Sequence, residues 1–315
     1  MCETSIQRGN SVKPGPEANH RGARRAIRSR WTSLISAAFA GFFFAGCVQS
    51  IAVSTVGGII DDGFEGFTSE PDMQFAGEAL PANLKLLDVL LKNDTSNVRL
   101  LRVLSEGYAS YSLGYLEDID NARARAFYLR SRDYGLRILR QDAALARALA
   151  GSIDDLKTEL AKRGPSDVPA VFWTAFGWGS AIQLSLDDPA LLVDLPRTEA
   201  MMEFVARADS GYYFGGAHLF LGTLAGLRPR LLGGNPDQSR AHFEAALRIN
   251  HGKFLMTYVY YARSYAVQTQ NEPLFEELLN HVKNAEITEP PSVRLANAIA
   301  RKKAEALLAR KSDFF

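Results

Sequence analysis

The sequence predicts an all-α fold, an array of helical hairpins, and three observations carry that expectation. Helix signals follow one another from Leu84 to Arg310, with none of the alternation a half-buried strand requires. Helix starts are punctuated. Asn235-Pro236-Asp237-Gln238 reads as an N-cap, a proline at the first helical position and a capping glutamine at the third, and Asp188-Pro189 repeats the first two signals. A pattern of small and aromatic residues also recurs along the chain.

That pattern is the one two crossing helices need. The first helix of a tetratricopeptide hairpin requires a small residue where the second crosses it, and the second requires small, aromatic and small residues at i, i+4 and i+7 to pack back. Gly222 with Ser239, Phe243 and Ala246 meets it, and Gly107 with Ala124, Tyr128 and Ser131 meets it at the same 17-residue spacing. Both units run about five residues longer than the usual repeat, which puts the extra length in the interhelix loops. Trp173, Phe176 and Gly177 open another unit closed by Ala200 and Phe204, with Arg207 where a small residue is expected. Tyr258 to Tyr265 followed by Asn271, Phe275 and Leu278 marks a fourth. The expected domain is therefore a tetratricopeptide-like α-solenoid over residues 76–315.

Individual elements follow from the same reasoning. Leu84, Leu86, Leu87, Val89, Leu90 and Leu91 predict a short, heavily buried helix. Ser292 to Arg310 predicts a final helix with Leu295, Ala296, Ile299, Ala300, Ala304, Leu307 and Leu308 on one face and Arg301, Lys302 and Lys303 outside it. Gly177-Trp178-Gly179 begins like a dinucleotide loop but lacks the third glycine and a preceding strand, so helix packing is the reading adopted.

The front of the chain is different. Residues 1–30 are rich in Arg, including Arg21, Arg24, Arg25, Arg28 and Arg30, and Trp31 to Ala45 is apolar but shorter than the roughly 20 residues that span a bilayer. Phe44-Ala45-Gly46-Cys47 then resembles a bacterial lipobox, in which small residues precede a cysteine that is acylated and becomes residue one. Residues 1–46 thus read as a lipoprotein signal segment and the Gly-, Ser- and Asp-rich 47–75 as a flexible tether, with Cys47 the lipidation site. Acyl chains contribute about 0.8 kcal/mol per buried methylene to membrane anchoring. An uncleaved membrane helix is the competing reading, weakened by Gln49, Ser50, Ser54 and Gly57-Gly58. Val48 after the cysteine favours the outer membrane over the inner.

Composition sets further bounds. The chain has 315 residues, 47% of them hydrophobic, enough for a large core. Its net charge of +1 conceals an asymmetry, because residues 1–46 hold seven basic and two acidic residues and the remainder is about −4. That balance argues against a nucleic-acid partner, which calls for a clustered basic surface. Cys2 and Cys47 are the only cysteines, which leaves none for a disulfide or thiolate site in the helical body.

The search for chemistry predicts a binding protein rather than an enzyme, without cofactor or metal. No HExxH, CxxC, Walker or GxSxG motif occurs. His218, His242, His251 and His281 are never spaced i, i+4, and Asp61-Asp62, Asp154-Asp155 and Asp187-Asp188 fall at apparent helix starts, where carboxylates serve as caps. A concave groove is the expected site instead. One residue beyond each crossing glycine the register points inward, giving Tyr108, Trp178 and Thr223, with Tyr111 one turn on and Arg263 from the fourth unit. Aromatic walls with one guanidinium would suit an organic anion or a partner's acidic or aromatic segment.

A resemblance adds to this reading. Ala79-Leu80-Pro81 with Leu84-Lys85-Leu86-Leu87, Phe172-Trp173 with Gly177-Trp178-Gly179, Gly215-Gly216-Ala217-His218, Gly233-Gly234-Asn235-Pro236 leading to His242-Phe243-Glu244-Ala245-Ala246-Leu247, and Leu295 to Leu308 together resemble the TatT family. Its members are tetratricopeptide lipoproteins, the T component associated with tripartite ATP-independent periplasmic (TRAP) transporters. The resemblance implies a periplasm-facing, homo-oligomeric auxiliary subunit that docks with a substrate-binding protein and passes a small, hydrophobic ligand. A general tetratricopeptide scaffold for envelope assembly is the alternative it leaves open.

Overall fold

Small residues that the sequence spaces regularly become close helix crossings in the structure, a computed structural model describing residues 66–227, 234–287 and 290–315. The expected signal segment, Cys47 and the tether up to residue 65 lie outside the described residues. Those that are described contain helices and no strand.

Four hairpins run in series. The first pairs α2 (Val98–Tyr111) with α3 (Asn121–Leu139), packed behind α1 (Met73–Leu90). Two extra short helices, α4 (Ala143–Ala150) and α5 (Ile153–Leu160), follow before the second hairpin, α6 (Val168–Gln183) with α8 (Leu195–Ala208), whose loop holds the single-turn α7 (Pro189–Leu192). The third pairs α9 (Tyr212–Leu227) with α10 (Pro236–Ile249). In the fourth, α11 (Met256–Tyr260) continues into a π-helical segment, Tyr261–Ala266, and packs on α12 (Glu272–Asn284) before the closing helix α13 (Arg294–Ala309). All four expected units are present, an all-α tetratricopeptide-like array.

The small residues act where backbone meets backbone. A Cβ on Gly177 would sit 2.8 Å from the Tyr128 carbonyl oxygen and 3.0 Å from the Arg132 nitrogen, so α6 lies directly on α3. Gly179 similarly admits Phe220 of α9, which settles Gly177-Trp178-Gly179 as a packing motif inside a helix. At Gly222 the contact is with its own hairpin partner: His242 and Phe243 of α10 stand 3.2 Å from an added Cβ, and the Ser239 hydroxyl donates to the Gly222 carbonyl at 2.7 Å. In the first hairpin Gly107, Ala124 and Tyr128 are all buried, and Ser105 of α2 donates to the Ser131 carbonyl of α3 at 2.9 Å. Phe243 and Ala246 are fully buried, as their place in the repeat requires.

Caps stop and start these helices as expected. Asn235 accepts from the Gln238 amide, Asp188 from Ala190, and Ser152 and Asp155 form a reciprocal capping box on α5. Arg207, out of place in a repeat, has a different task. Its guanidinium lies over the Phe204 ring and donates to the Leu160 carbonyl, tying the extra helix α5 to α8 and satisfying an orphan carbonyl at a helix end.

Three expectations need correction. The packed domain starts before residue 76: Asp72 caps α1, and Phe67 packs against both main parts of the core. The helix read at Leu84 to Leu91 belongs to the longer α1 and is not heavily buried, because Leu86 and Val89 are 56% and 48% exposed on its outer face, with Phe75. Lys303 does not lie outside the face of the last helix, since its side chain is only 12% exposed.

The Gly177 crossing predicts a contrast. In Gly177→Ala the new methyl meets backbone that moves only if α3 and α6 separate, an overpacking cost of about 1–3 kcal/mol. Gly222→Ala meets side chains at 3.2 Å, and the better helix propensity of alanine offsets the crowding. Thermal denaturation is expected to show a clear loss for the first and little change for the second. Equal melting temperatures would contradict the crossing geometry.

Candidate functional site

Two π-helical segments face each other where the first hairpin meets the last. Ser112–Leu116 continues α2 and delivers Glu117 and Asp118, while Tyr261–Ala266 continues α11 and delivers Arg263. A π turn inserts an extra residue into the helical ladder and so re-aims the side chains on and after it. The extra length expected between α2 and α3 is this segment and its turn. Asp118 adopts a positive φ of 73°, and the Asn121 side chain accepts from its amide at 2.9 Å.

The result is a buried carboxylate shared by three donors, with a lysine nearby. Tyr128 donates its hydroxyl to Glu117 Oε2 at 2.7 Å, Arg263 donates to Oε1 at 3.1 Å, Tyr260 approaches Oε1 at 3.5 Å and Lys303 lies 3.9 Å away. Lys303 chiefly engages Asp118, at 2.8 Å, and Arg263 stands 3.5 Å from the same carboxylate. Burial raises the pKa of both tyrosines well above the ordinary phenol range, and the Glu117 charge raises them further, so they remain donors. Burial also pushes the Asp118 carboxyl up, but the Arg263 and Lys303 cations beside it outweigh that and hold it below its ordinary value. For Arg263, burial acts against the charged form, and the Glu117, Tyr260 and Asp118 oxygens more than restore it.

Two cavities share this cluster as a common wall. One, about 150 Å³, lies toward Gly114, Ile299 and Lys303; the other, about 180 Å³, lies toward Ser180, Gln183 and Thr223. A third, about 260 Å³ and mostly apolar, adjoins the first through Gly114 and Ile299 and is walled by Leu113, Tyr115, Tyr213, Phe214, Phe254 and Leu295. Its rim is strained. Tyr213, Phe214 and Gly215 take successive left-handed conformations, with φ of 47°, 60° and 80°. The two non-glycine residues cost of order 1–3 kcal/mol each. Asn250 holds the turn by donating to the Phe214 carbonyl at 3.1 Å, and Phe214 stacks on Phe254 with centroids 5.1 Å apart.

The expected groove set divides. Arg263 and Thr223 line the 180 Å³ cavity together, although Thr223 is buried and spends its hydroxyl on the Leu219 carbonyl. Tyr108, Tyr111 and Trp178 do not line a groove. Tyr108 is buried between α1 and α3, donating to Asp88 at 2.7 Å with the Arg130 guanidinium over its ring. Tyr111 stacks on Tyr115 and is 8% exposed. Trp178 is buried among Leu136, Ile182 and the flanking Leu149, Leu191 and Leu192. These residues are core because α1, α4 and α7 cover faces that a bare repeat array would leave open. Glu117, Tyr260 and Lys303 were missed, and the positive-φ aspartate after a buried glutamate has no signature in residue spacing.

The family model described as TRAP transporter T-component matches residues 69–315, nearly the whole of the described chain. No curated protein matches significantly.

The Glu117 cluster predicts strong coupling. Glu117→Gln keeps the acceptor for Tyr128 but leaves Arg263 and Lys303 facing a neutral group. Breaking a buried pair on one side typically costs 3–5 kcal/mol, and about 3 is expected here because a third of Arg263 stays in water. Arg263→Met on that background is expected to recover part of the loss in urea unfolding. Strict additivity of the two changes would remove the pair as a structural link.

Proposed function

The chain belongs to the TRAP transporter T-component family, and from that premise we propose that it is the accessory subunit of a TRAP-type transport system. It faces the periplasm, held to the outer membrane by lipid on Cys47, docks with the system's substrate-binding protein, and takes up a small, largely apolar organic molecule. The observation that carries this reading is the family match over residues 69–315, which spans every helix of the array. Among the described residues no helix is long and apolar enough to cross a membrane.

The apolar cavity supports the ligand class. Its volume of about 260 Å³ exceeds the roughly 150 Å³ that suffices for a benzene-sized guest in an apolar protein cavity. The cationic side chains that would attract an organic anion are committed elsewhere, Arg263 and Lys303 to Glu117 and Asp118. The ligand is therefore apolar in its body, matching a wall on which Ser110, Thr68 and Ser292 are among the few polar side chains. Binding here does not require catalysis, and homo-oligomerisation completes the reading.

Copurification tests the partner. The full chain, extracted with detergent from membranes of its own host, is expected to bring down the substrate-binding protein encoded beside a TRAP transporter, and Cys47→Ala is expected to abolish palmitate labelling. The neutral apolar fluorophore N-phenyl-1-naphthylamine tests the cavity. Saturable binding that Ala296→Phe weakens at least several-fold, with unchanged circular dichroism, is the expected result. Undiminished binding in that variant would remove the cavity, and failure to capture the binding protein would remove the transport role.

A further inference from the structure

The two sequence segments around His218 and His242, 24 residues apart, meet in the structure at a place the proposed transport role does not use. Gly222 lets α10 approach α9 so closely that the His242 Cβ stands 3.2 Å from where a glycine Cβ would be. One turn earlier on α9, His218 turns its ring toward His242, and the two Nδ1 atoms come within 3.0 Å. The ring centroids are 5.3 Å apart and inclined by 41°. Both residues are half-buried, open to solvent on one side.

Two imidazoles meeting nitrogen to nitrogen have two ways to be satisfied. One Nδ1–H donates to the bare Nδ1 of the other, or a metal ion takes the place of that proton. The distances allow the second. With bonds of about 2.0–2.1 Å to imidazole nitrogen, two ligands at a right angle around an ion stand about 2.9 Å apart, and at the tetrahedral angle about 3.3 Å. The observed 3.0 Å falls inside that range.

We infer that His218 and His242 form a two-imidazole site for a late divalent transition ion, with copper(II) bound most tightly and water completing the coordination. Binding moves one proton from Nδ1 to Nε2 of the donor ring, so both rings coordinate as neutral Nδ1 ligands. Burial lowers the pKa of both histidines, and for His218 the neighbouring His242 and Arg248 lower it further. Among the described residues no group of three or more His, Cys, Asp or Glu is placed to hold a metal. The site thus offers two protein ligands and an exchangeable ion, in the affinity order copper above nickel above zinc.

Copper(II) sulfate added to the full-length chain tests this. Electron paramagnetic resonance is expected to show one ion with two equatorial nitrogens, and the melting temperature is expected to rise with metal concentration, as for any ligand that binds only the folded state. His242→Gln, which can still hydrogen-bond to His218, is expected to lose the two-nitrogen signal and weaken binding at least tenfold. His281→Gln, whose ring instead packs on Tyr258, is expected to leave both unchanged. A wild-type spectrum without the two-nitrogen signature would overturn the assignment whatever the variants do, as would a signal that survives His242→Gln.

Discussion

Everything in this array depends on one buried carboxylate. Glu117 leaves a π-helical turn at the end of the first hairpin and receives donors from Tyr128 in that hairpin and from Tyr260 and Arg263, more than 140 residues later in the last one. A charge buried to 7% exposure persists only if it is paired and hydrogen-bonded, so the sequence must supply those partners together or none. An ordinary repeat array transmits contacts only between neighbours. Here the two ends are joined, and Lys303 on the closing helix completes the junction through Asp118.

That closure explains why the cavities lie where they do. Joining the first and last hairpins leaves pockets around the junction, two of them walled by Glu117, Tyr260 and Arg263. The apolar cavity beside them is bounded by both ends of the described array, Phe67 and Leu80 from one and Leu295 and Ile299 from the other. Its strained rim at Tyr213 and Phe214 is held by packing and by Asn250, the kind of over-determined geometry that proteins concentrate at binding sites.

The sequence and the structure agree where local sterics decide and part where distant segments meet. Gly222 was legible as a crossing position because a close approach excludes side chains, and Asn235 because a helix start needs an acceptor, whereas Gly177 meets α3 of the preceding hairpin and not its own partner α8. Tyr108 and Trp178 were misplaced for a single reason. The register locates the face they point from, but α1 covers the first and α4 and α7 the second, and nothing in a repeat pattern announces added helices. Glu117 escaped notice because its meaning resides in partners brought in from the other end of the chain. Lys303 looked like a solvated lysine for the same reason.

Native-state hydrogen exchange measures the closure directly. In an open array the ends fray independently, each with its own free energy of opening. If the Glu117 junction joins them, amides in Ser112–Leu116 and Tyr261–Ala266 should open in one cooperative step, with the same free energy and the same dependence on denaturant. Separate opening, with the last hairpin exchanging at markedly lower free energy while the first stays protected, would contradict the account.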